Sequence, residues 1–480
     1  MATGPRSPWL VLVAMTGSLS MIMLDQTVVT VALPSMSRQL PLTPTGQQWV
    51  INAYVLAMAA LVALGGKLGD RFGGVSTFRV GVTIFFLASA LCGMAPHGAW
   101  GEPALIAARV LQGCGAALMM PVSSAIVIGA FAIAQRGRAM AVYTGISQIF
   151  LAVGPLLGGL LTETVSWRTV FWLNVPVGIA ALVMVRVARP ENTRQPGAVI
   201  RAGDVALLVL GLASTVLAIQ QGSVWSWTSP ATLVLLGAGI VITAWFVIIQ
   251  LRSPNPLVDL RLFSRPAFLG NVVVVGLLQF GLLALILFSS LYQQDLLGLS
   301  PMLAGLGALP LIVGIAFAAQ VGGRWYDRSG VRPPALTGLA LGVIGVLAWA
   351  GSLPSLSYPL QIPGMVVTGL GLGLVVSPTN TDALGRVGAQ ERSQAAGLVQ
   401  TVRQLGGTFG VASIGAVVLA IEHHGTQSAS SQHAADAVTV GFLLVAAVFV
   451  IALVAGWRRL SRSRPSGRPD PQEMLVSIEG

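Results

Sequence analysis

Charge is what this sequence has least of. Of 480 residues, 27 are Lys or Arg and 16 are Asp or Glu, so 9% are charged, where a soluble chain carries about a quarter. So few charges cannot coat the water-facing surface of a chain this long, which excludes a soluble globular enzyme and leaves lipid as the surrounding medium. Lysine is nearly missing: Lys67 stands against twenty-six arginines, a bias that points to a high-GC bacterial source. The two cysteines, Cys92 and Cys114, both lie in apolar stretches, which removes a disulfide framework and a thiolate metal cluster. No Gly-x4-Gly-Lys-Ser/Thr run is present, so ATP hydrolysis has no phosphate loop. His423, His424 and His433 share one loop but are loosely spaced and have no carboxylate cluster with them, which disfavours a metal site. What fills the chain instead is apolar: 54% hydrophobic residues and a mean hydropathy of +0.80.

A helix needs about 20 residues to cross a hydrocarbon core of about 30 Å. Fourteen runs qualify, at approximately 9–33, 47–66, 77–96, 103–126, 138–162, 167–187, 204–221, 231–250, 268–292, 302–322, 333–352, 360–380, 395–421 and 437–457. With the N-terminus placed in the cytoplasm, 23 of the 27 basic residues fall inside. Only Arg38 and Arg168 fall outside, and Arg109 and Arg403 lie within the membrane, so the positive-inside rule fixes both termini as cytoplasmic. The net charge of +11 is thus a matter of topology, and nucleic acid is not an expected partner. The first run carries Asp25 and is too long for a secretory signal, so it is predicted to be retained. Between 251 and 267 a connector rich in proline and apolar residues is predicted to lie on the inner leaflet. The tail 458–480 is predicted to be disordered, basic and drawn to anionic lipid.

The chain also repeats itself. Gly66-x3-Asp70-Arg71-x-Gly73 recurs as Gly323-x3-Asp327-Arg328-x-Gly330 at an offset of 257 residues, and Pro121 maps onto Pro378 by the same offset. Two matches in one register indicate duplication. Eight runs separate the Asp-Arg loops, so two six-helix units require two further helices between them. The predicted organisation is an N-terminal six-helix half over 1–187 and a linker with two additional membrane helices and an amphipathic connector over 188–267. A C-terminal six-helix half over 268–457 and the tail complete it. Paired halves around a midplane cavity describe a secondary transporter.

The Asp-Arg loop resembles that of the major facilitator superfamily. Further motifs narrow the resemblance to its fourteen-span drug:proton antiporter branch: Leu24-Asp25-x-Thr27 in the first run, Arg109-x2-Gln112-Gly113-x-Gly115 in the fourth and Gly154-Pro155-x2-Gly158-Gly159 in the fifth. Trp167-Arg168 opening the sixth and Arg403-Gln404-x-Gly406-Gly407 in the thirteenth complete the set. The sequence departs from the family pattern at Gly74 and Val75, where a basic pair is usual, and at Ala141 and Phe150, where glycines are frequent. The resemblance implies an all-α integral membrane protein of 14 transmembrane helices in the bacterial cytoplasmic membrane, acting as a monomer without a cofactor. It implies export of a lipophilic drug or antibiotic against protons, driven by the proton gradient. An exporter of an endogenous metabolite or lipid is the alternative, since no motif names a ligand.

Three charges are deep in the membrane, where each costs several kcal/mol unless paired or hydrated: Asp25, Arg109 and Arg403. At about 1.5 Å per residue Asp25 and Arg109 reach nearly the same level in the outer half. Asp25 is the expected proton acceptor, with Arg109 its partner; a permanently ionised structural bridge is the other reading. Arg403 with Gln400 and Gln404 forms either a substrate-binding patch or an interhelical cluster. Thr27, Asn52, Tyr54 and Gln112 are further cavity candidates. Asp70, Arg71, Asp327 and Arg328 are expected to latch the halves at helix ends, and Gly154, Pro155, Gly158 and Gly159 to allow a bend and close packing. Asp295 and Asp382 are expected to be solvated, Asp295 being a second proton-site candidate. The run Gly369-x-Gly371-x-Gly373 reads as packing. One acid against two arginines sums to +1, favouring neutral, zwitterionic or anionic substrates over dications.

Overall fold

A computed structural model describes residues 7–40, 42–192, 200–254, 256–388, 391–424 and 431–462, so most of the basic tail lies outside the described residues. Among them the chain is helical, with no strand. The helices are α1 (Pro8–Gln39), α2 (Pro44–Phe72), α3 (Gly74–Gly93), α4 (Gly101–Ala130), α5 (Arg136–Thr164), α6 (Trp167–Trp172) and α7 (Asn174–Ala188). They continue as α8 (Ala202–Trp225), α9 (Pro230–Arg252), α10 (Pro266–Asp295), α11 (Pro301–Gly307), α12 (Leu309–Ser329) and α13 (Arg332–Ser352). The last three are α14 (Tyr358–Gly385), α15 (Arg392–His424) and α16 (Ser431–Arg459).

Several helices start by one local rule. Ser7-Pro8, Thr43-Pro44, Ser229-Pro230 and Ser300-Pro301 each place a hydroxyl as N-cap and proline in the first turn. The hydroxyl accepts from a backbone N–H three residues on, at 3.3, 2.9, 3.2 and 3.3 Å, and proline occupies a position whose own N–H would have no helical partner.

Eleven helical stretches are long and apolar enough to cross a membrane among the described residues, with α6 and α7 together making one. Of the other predicted runs, those on α5 and α15 include residues outside the described ones, and the run 302–322 is divided between α11 and α12. These carry polar side chains such as Thr144 and Ser147, Gln320 and Arg324, and Gln394, Gln400, Arg403 and Gln404. They are the helices that face the other half: α5 packs on α12 and α14, and α15 on α2 and α4. A helix turned toward protein need not be apolar all round.

Within the first half α1 packs on α5 and α7, and α4 on α2 and α3; within the second α10 packs on α15 and α16, and α13 on α14 and α16. The pair α8–α9 leans on the seam, with α8 touching both α2 and α15. Only 17% of the apolar window in α9 is buried, so its Val234, Val241 and Trp245 face outward.

The connector after α9 differs from its prediction. Leu257, Val258 and Leu262 are buried in the protein's apolar core. Gln250 Oε1 accepts from Leu257 N–H at 2.5 Å, Lys67 Nζ donates to Pro256 O at 2.8 Å, and Gln394 Nε2 to Leu257 O at 3.3 Å. The apolar side chains find protein, not lipid, because these hydrogen bonds turn the segment inward, while Arg261 and Arg265 remain exposed.

Candidate functional site

Glycines bring α4 into place. A side chain at Gly113 would meet Tyr54 O of α2, and one at Gly115 would meet Phe85 N of α3, so the spacing after Arg109 lets three backbones approach. Arg109 then lies under α2, its Nε donating to Val50 O at 2.9 Å and its Nη1 to Gln112 Oε1 at 2.7 Å. The same Nη1 donates to Asp25 Oδ2 at 2.6 Å, and Gln112 Nε2 donates to Asp25 Oδ1 at 2.8 Å. The guanidinium stacks 4.4 Å from the Tyr54 ring. Asp25, Arg109, Gln112 and Tyr54 are at most 2% exposed, so both carboxylate oxygens are engaged and sealed from water. Gln112 and Tyr54 therefore belong to this network and not to a cavity wall.

Thr27 is not on a cavity either. Its hydroxyl lies 3.2 Å from Leu24 O and 3.1 Å from Leu151 O, bridging α1 to α5. A side chain at Gly154 would strike Thr27 and one at Gly158 would strike Val28; Gly159 is buried beside them. The helix runs without interruption through Gly154-Pro155, and the Pro155 side chain is outside the described residues.

A cavity of about 600 Å³ opens between α2, α8, α10, α15 and α16, toward the Asp295 end of α10. Leu283, Leu287, Phe288 and Val411 make its walls apolar, with Asn52, Gln404 and Thr408 as polar points and Asp295 at its rim. Asp295 is exposed, as predicted. Gln400 and Arg403 do not line this cavity; Arg403 and Gln404, adjacent in the helix, point about 100° apart. Gln400 and Arg403 line a separate small recess with Tyr143 and Asn380.

At the opposite end the halves meet. Asp70 Oδ2 accepts from Gln394 N–H at 3.0 Å, and Asp327 accepts from Gly137 N–H at 3.0 Å and Arg138 N–H at 3.1 Å. Each acid of one half thus caps the first turn of a helix in the other half, where free N–H groups and the helix dipole favour a carboxylate. The offset of 257 that relates Asp70 to Asp327 also relates Gly137 to Gln394, so the two contacts are copies. A side chain at Gly66 would meet Ser393 O, and one at Gly323 would meet Gly137 O, which explains the glycine that opens each repeat. Arg71 lies 5.3 Å from the Phe72 ring and Arg328 is exposed; among the described residues neither makes a hydrogen bond or ion pair across the seam.

Asp382 corrects the sequence reading. It is fully buried, accepting from Arg386 Nε at 2.6 Å, Asn271 Nδ2 at 2.7 Å and Tyr326 O–H at 3.4 Å. Proximity to a helix end suggested solvent, but α10 and α12 close over it. The spacing of Asp382 and Arg386, one helical turn apart, was the available signal; Asn271 and Tyr326 come from distant helices and carried none. Of the three histidines, His423 and His424 have undescribed side chains, and no cluster suited to a metal occurs among the described residues.

Two helix bundles related by duplication, joined at one end and enclosing buried charge, define a membrane transporter fold. The profile of the Major Facilitator Superfamily matches residues 15–411, and the chain belongs to that family. It is 34% identical to the puromycin resistance protein pur8 of Streptomyces alboniger over 475 residues, covering 94% of this chain and 92% of that one. It is 34% identical to the tetracenomycin C resistance and export protein of Streptomyces glaucescens, covering 87% and 77%. The multidrug resistance protein Stp of Mycobacterium tuberculosis is 29% identical, covering 98% and 95%. The proton:xylose symporter XylE superposes with a TM-score of 0.68 at 12% identity, covering 96% and 97%, which shows the shared fold.

Proposed function

We propose that this chain is a proton-coupled antiporter that exports drugs or antibiotics across the bacterial cytoplasmic membrane by alternating access. In this reading it has fourteen spans, two six-helix halves with an added helix pair, and both termini inside. Resistance proteins among its relatives support the substrate class, and the predominantly apolar 600 Å³ cavity suits a lipophilic solute.

The observation that carries the coupling is the network around Asp25. Its carboxylate sits 2.6 Å from Arg109 with 2% exposure for the residue as a whole. Protonation removes the charge that Arg109 balances, leaving a buried guanidinium to find new partners, and such an imbalance is strong enough to move helices. In the arrangement described the network is sealed and the halves are locked through Asp70 and Asp327. Release of those two caps would let the halves part at the cytoplasmic end, giving inner access to the substrate path. Arg71 and Arg328 would act there on lipid or through the helix ends.

The test is transport in proteoliposomes. An imposed pH gradient is expected to drive uphill efflux of a fluorescent drug by the native protein, collapsing with a protonophore. Asp25→Asn, which keeps the shape of the network, is expected to lose uphill efflux while retaining downhill exchange. Undiminished pH-driven efflux by that variant would remove Asp25 from the coupling, and drug flux indifferent to the gradient would overturn antiport itself.

A further inference from the structure

Arg403 differs from Arg109 in having nothing to hold. Among the described residues its guanidinium makes no recorded hydrogen bond or ion pair, and its Nε is shut off from solvent. A guanidinium keeps its proton at any biological pH, so the charge stays. The residue as a whole is partly exposed, and a guanidinium this deep in an apolar span costs several kcal/mol unless it is paired or hydrated.

The recess it lines has a volume of about 20 Å³, enough for one species of about the size of a water molecule. Around it stand Ser124, Tyr143 and Thr144 from the first half and Asn380, Gln400 and Arg403 from the second; no carboxylate lines it. Ser124 and Thr144 spend their protons on Pro121 O at 2.9 Å and Met140 O at 2.8 Å. Tyr143 is paired with Ser123 at 2.6 Å, and Asn380 Nδ2 donates to Val376 O at 2.9 Å. The donors left over are those of Arg403, the Gln400 amide and the second Nδ2–H of Asn380. A water could meet their hydrogen bonds but not the charge.

We propose that Arg403 and Gln400 form a binding site for a small monovalent anion at the seam between the halves. The recess takes a halide-sized ion or the carboxylate tip of a transported molecule; sulfate and phosphate are too large. Because both halves contribute walls, the bound anion ties them together and favours the locked arrangement.

The experiment is thermal unfolding of the full-length protein in detergent, with sodium chloride, bromide or acetate replacing sodium sulfate at matched ionic strength. Chloride or bromide is expected to raise the melting temperature saturably, and Arg403→Gln to abolish that dependence whatever its own baseline. Gln400→Leu is expected to weaken the apparent affinity several-fold. A rise with acetate but not with halide identifies a carboxylate as the anion and upholds the site. No specific anion response in the native protein, or an equal response in Arg403→Gln, overturns it. If Arg403→Gln does not fold, anomalous scattering from bromide in native crystals decides: a peak beside Arg403 is expected, and its absence overturns the proposal. These readouts do not depend on drug transport, so failure here leaves the export reading standing.

Discussion

At the closed end the two halves mirror each other residue for residue: Asp70 holds Gln394, Asp327 holds Gly137, and one offset of 257 relates both partners. Away from that end the mirror breaks. By the same offset Asp25, Arg109 and Gln112 correspond to Leu282, Val366 and Gly369, while Asp382 and Arg386 correspond to Ala125 and Gly129. Among the described residues each half has a buried acid paired with an arginine, Asp25 with Arg109 and Asp382 with Arg386, at non-equivalent positions. The difference has a physical logic. Under the alternating-access reading proposed above, two halves that rock against each other need matched contacts on both sides of the seam, which would keep both copies of the contact in place.

The largest expected departure comes from unbalancing the first-half network. Arg109→Leu leaves Asp25 buried without its counter-charge and is expected to destabilise the fold by about 3–5 kcal/mol, read as lost yield and a lower melting temperature. Asp25→Leu in the same chain is expected to restore much of that stability but not coupled efflux. Recovery of neither would mean that the two residues do not act as a pair.

Asp382→Ala removes three hydrogen bonds of the second-half network, one of them from a guanidinium. It is expected to cost about 2–3 kcal/mol while leaving drug efflux proton-driven. Loss of coupling with stability intact would erase the functional contrast between the halves.

The smallest effect tests the mirror itself. Asp70→Ala and Asp327→Ala each remove one helix cap and are expected to disfavour the locked arrangement by about 1 kcal/mol apiece, equally, and additively in the double variant. Spectroscopic distances between labels on α2 and α15, and on α5 and α12, would report it. Unequal shifts would show that one latch dominates.

Much of this was legible from composition and spacing. The depth of Asp25 and Arg109 along their helices was enough to bring them to one level, and the Gly-x3-Asp-Arg-x-Gly repeat marked both sides of the seam. Thr27, Gln112 and Tyr54 were legible as special but not as to place, since a polar residue on an apolar helix looks the same whether it faces a cavity or a buried partner. Asp382 looked solvated because distance to a helix end is a local measure and burial is not. The connector looked lipid-bound because its apolar residues could satisfy lipid and protein equally well.

The sequence by itself determined that the chain lives in a membrane, where several of its helices begin and that its two halves share a repeat; these follow from hydropathy, capping and repetition, all read along one dimension. Only the tertiary structure decided which charges within the apolar helices are answered. Arg109 and Arg403 are alike in sequence, each an arginine in an apolar helix, yet one meets Asp25, Gln112 and Val50 O while the other faces a recess without an acid. Whether a charge is compensated depends on groups that converge from distant parts of the chain, and that convergence exists only once the helices have packed.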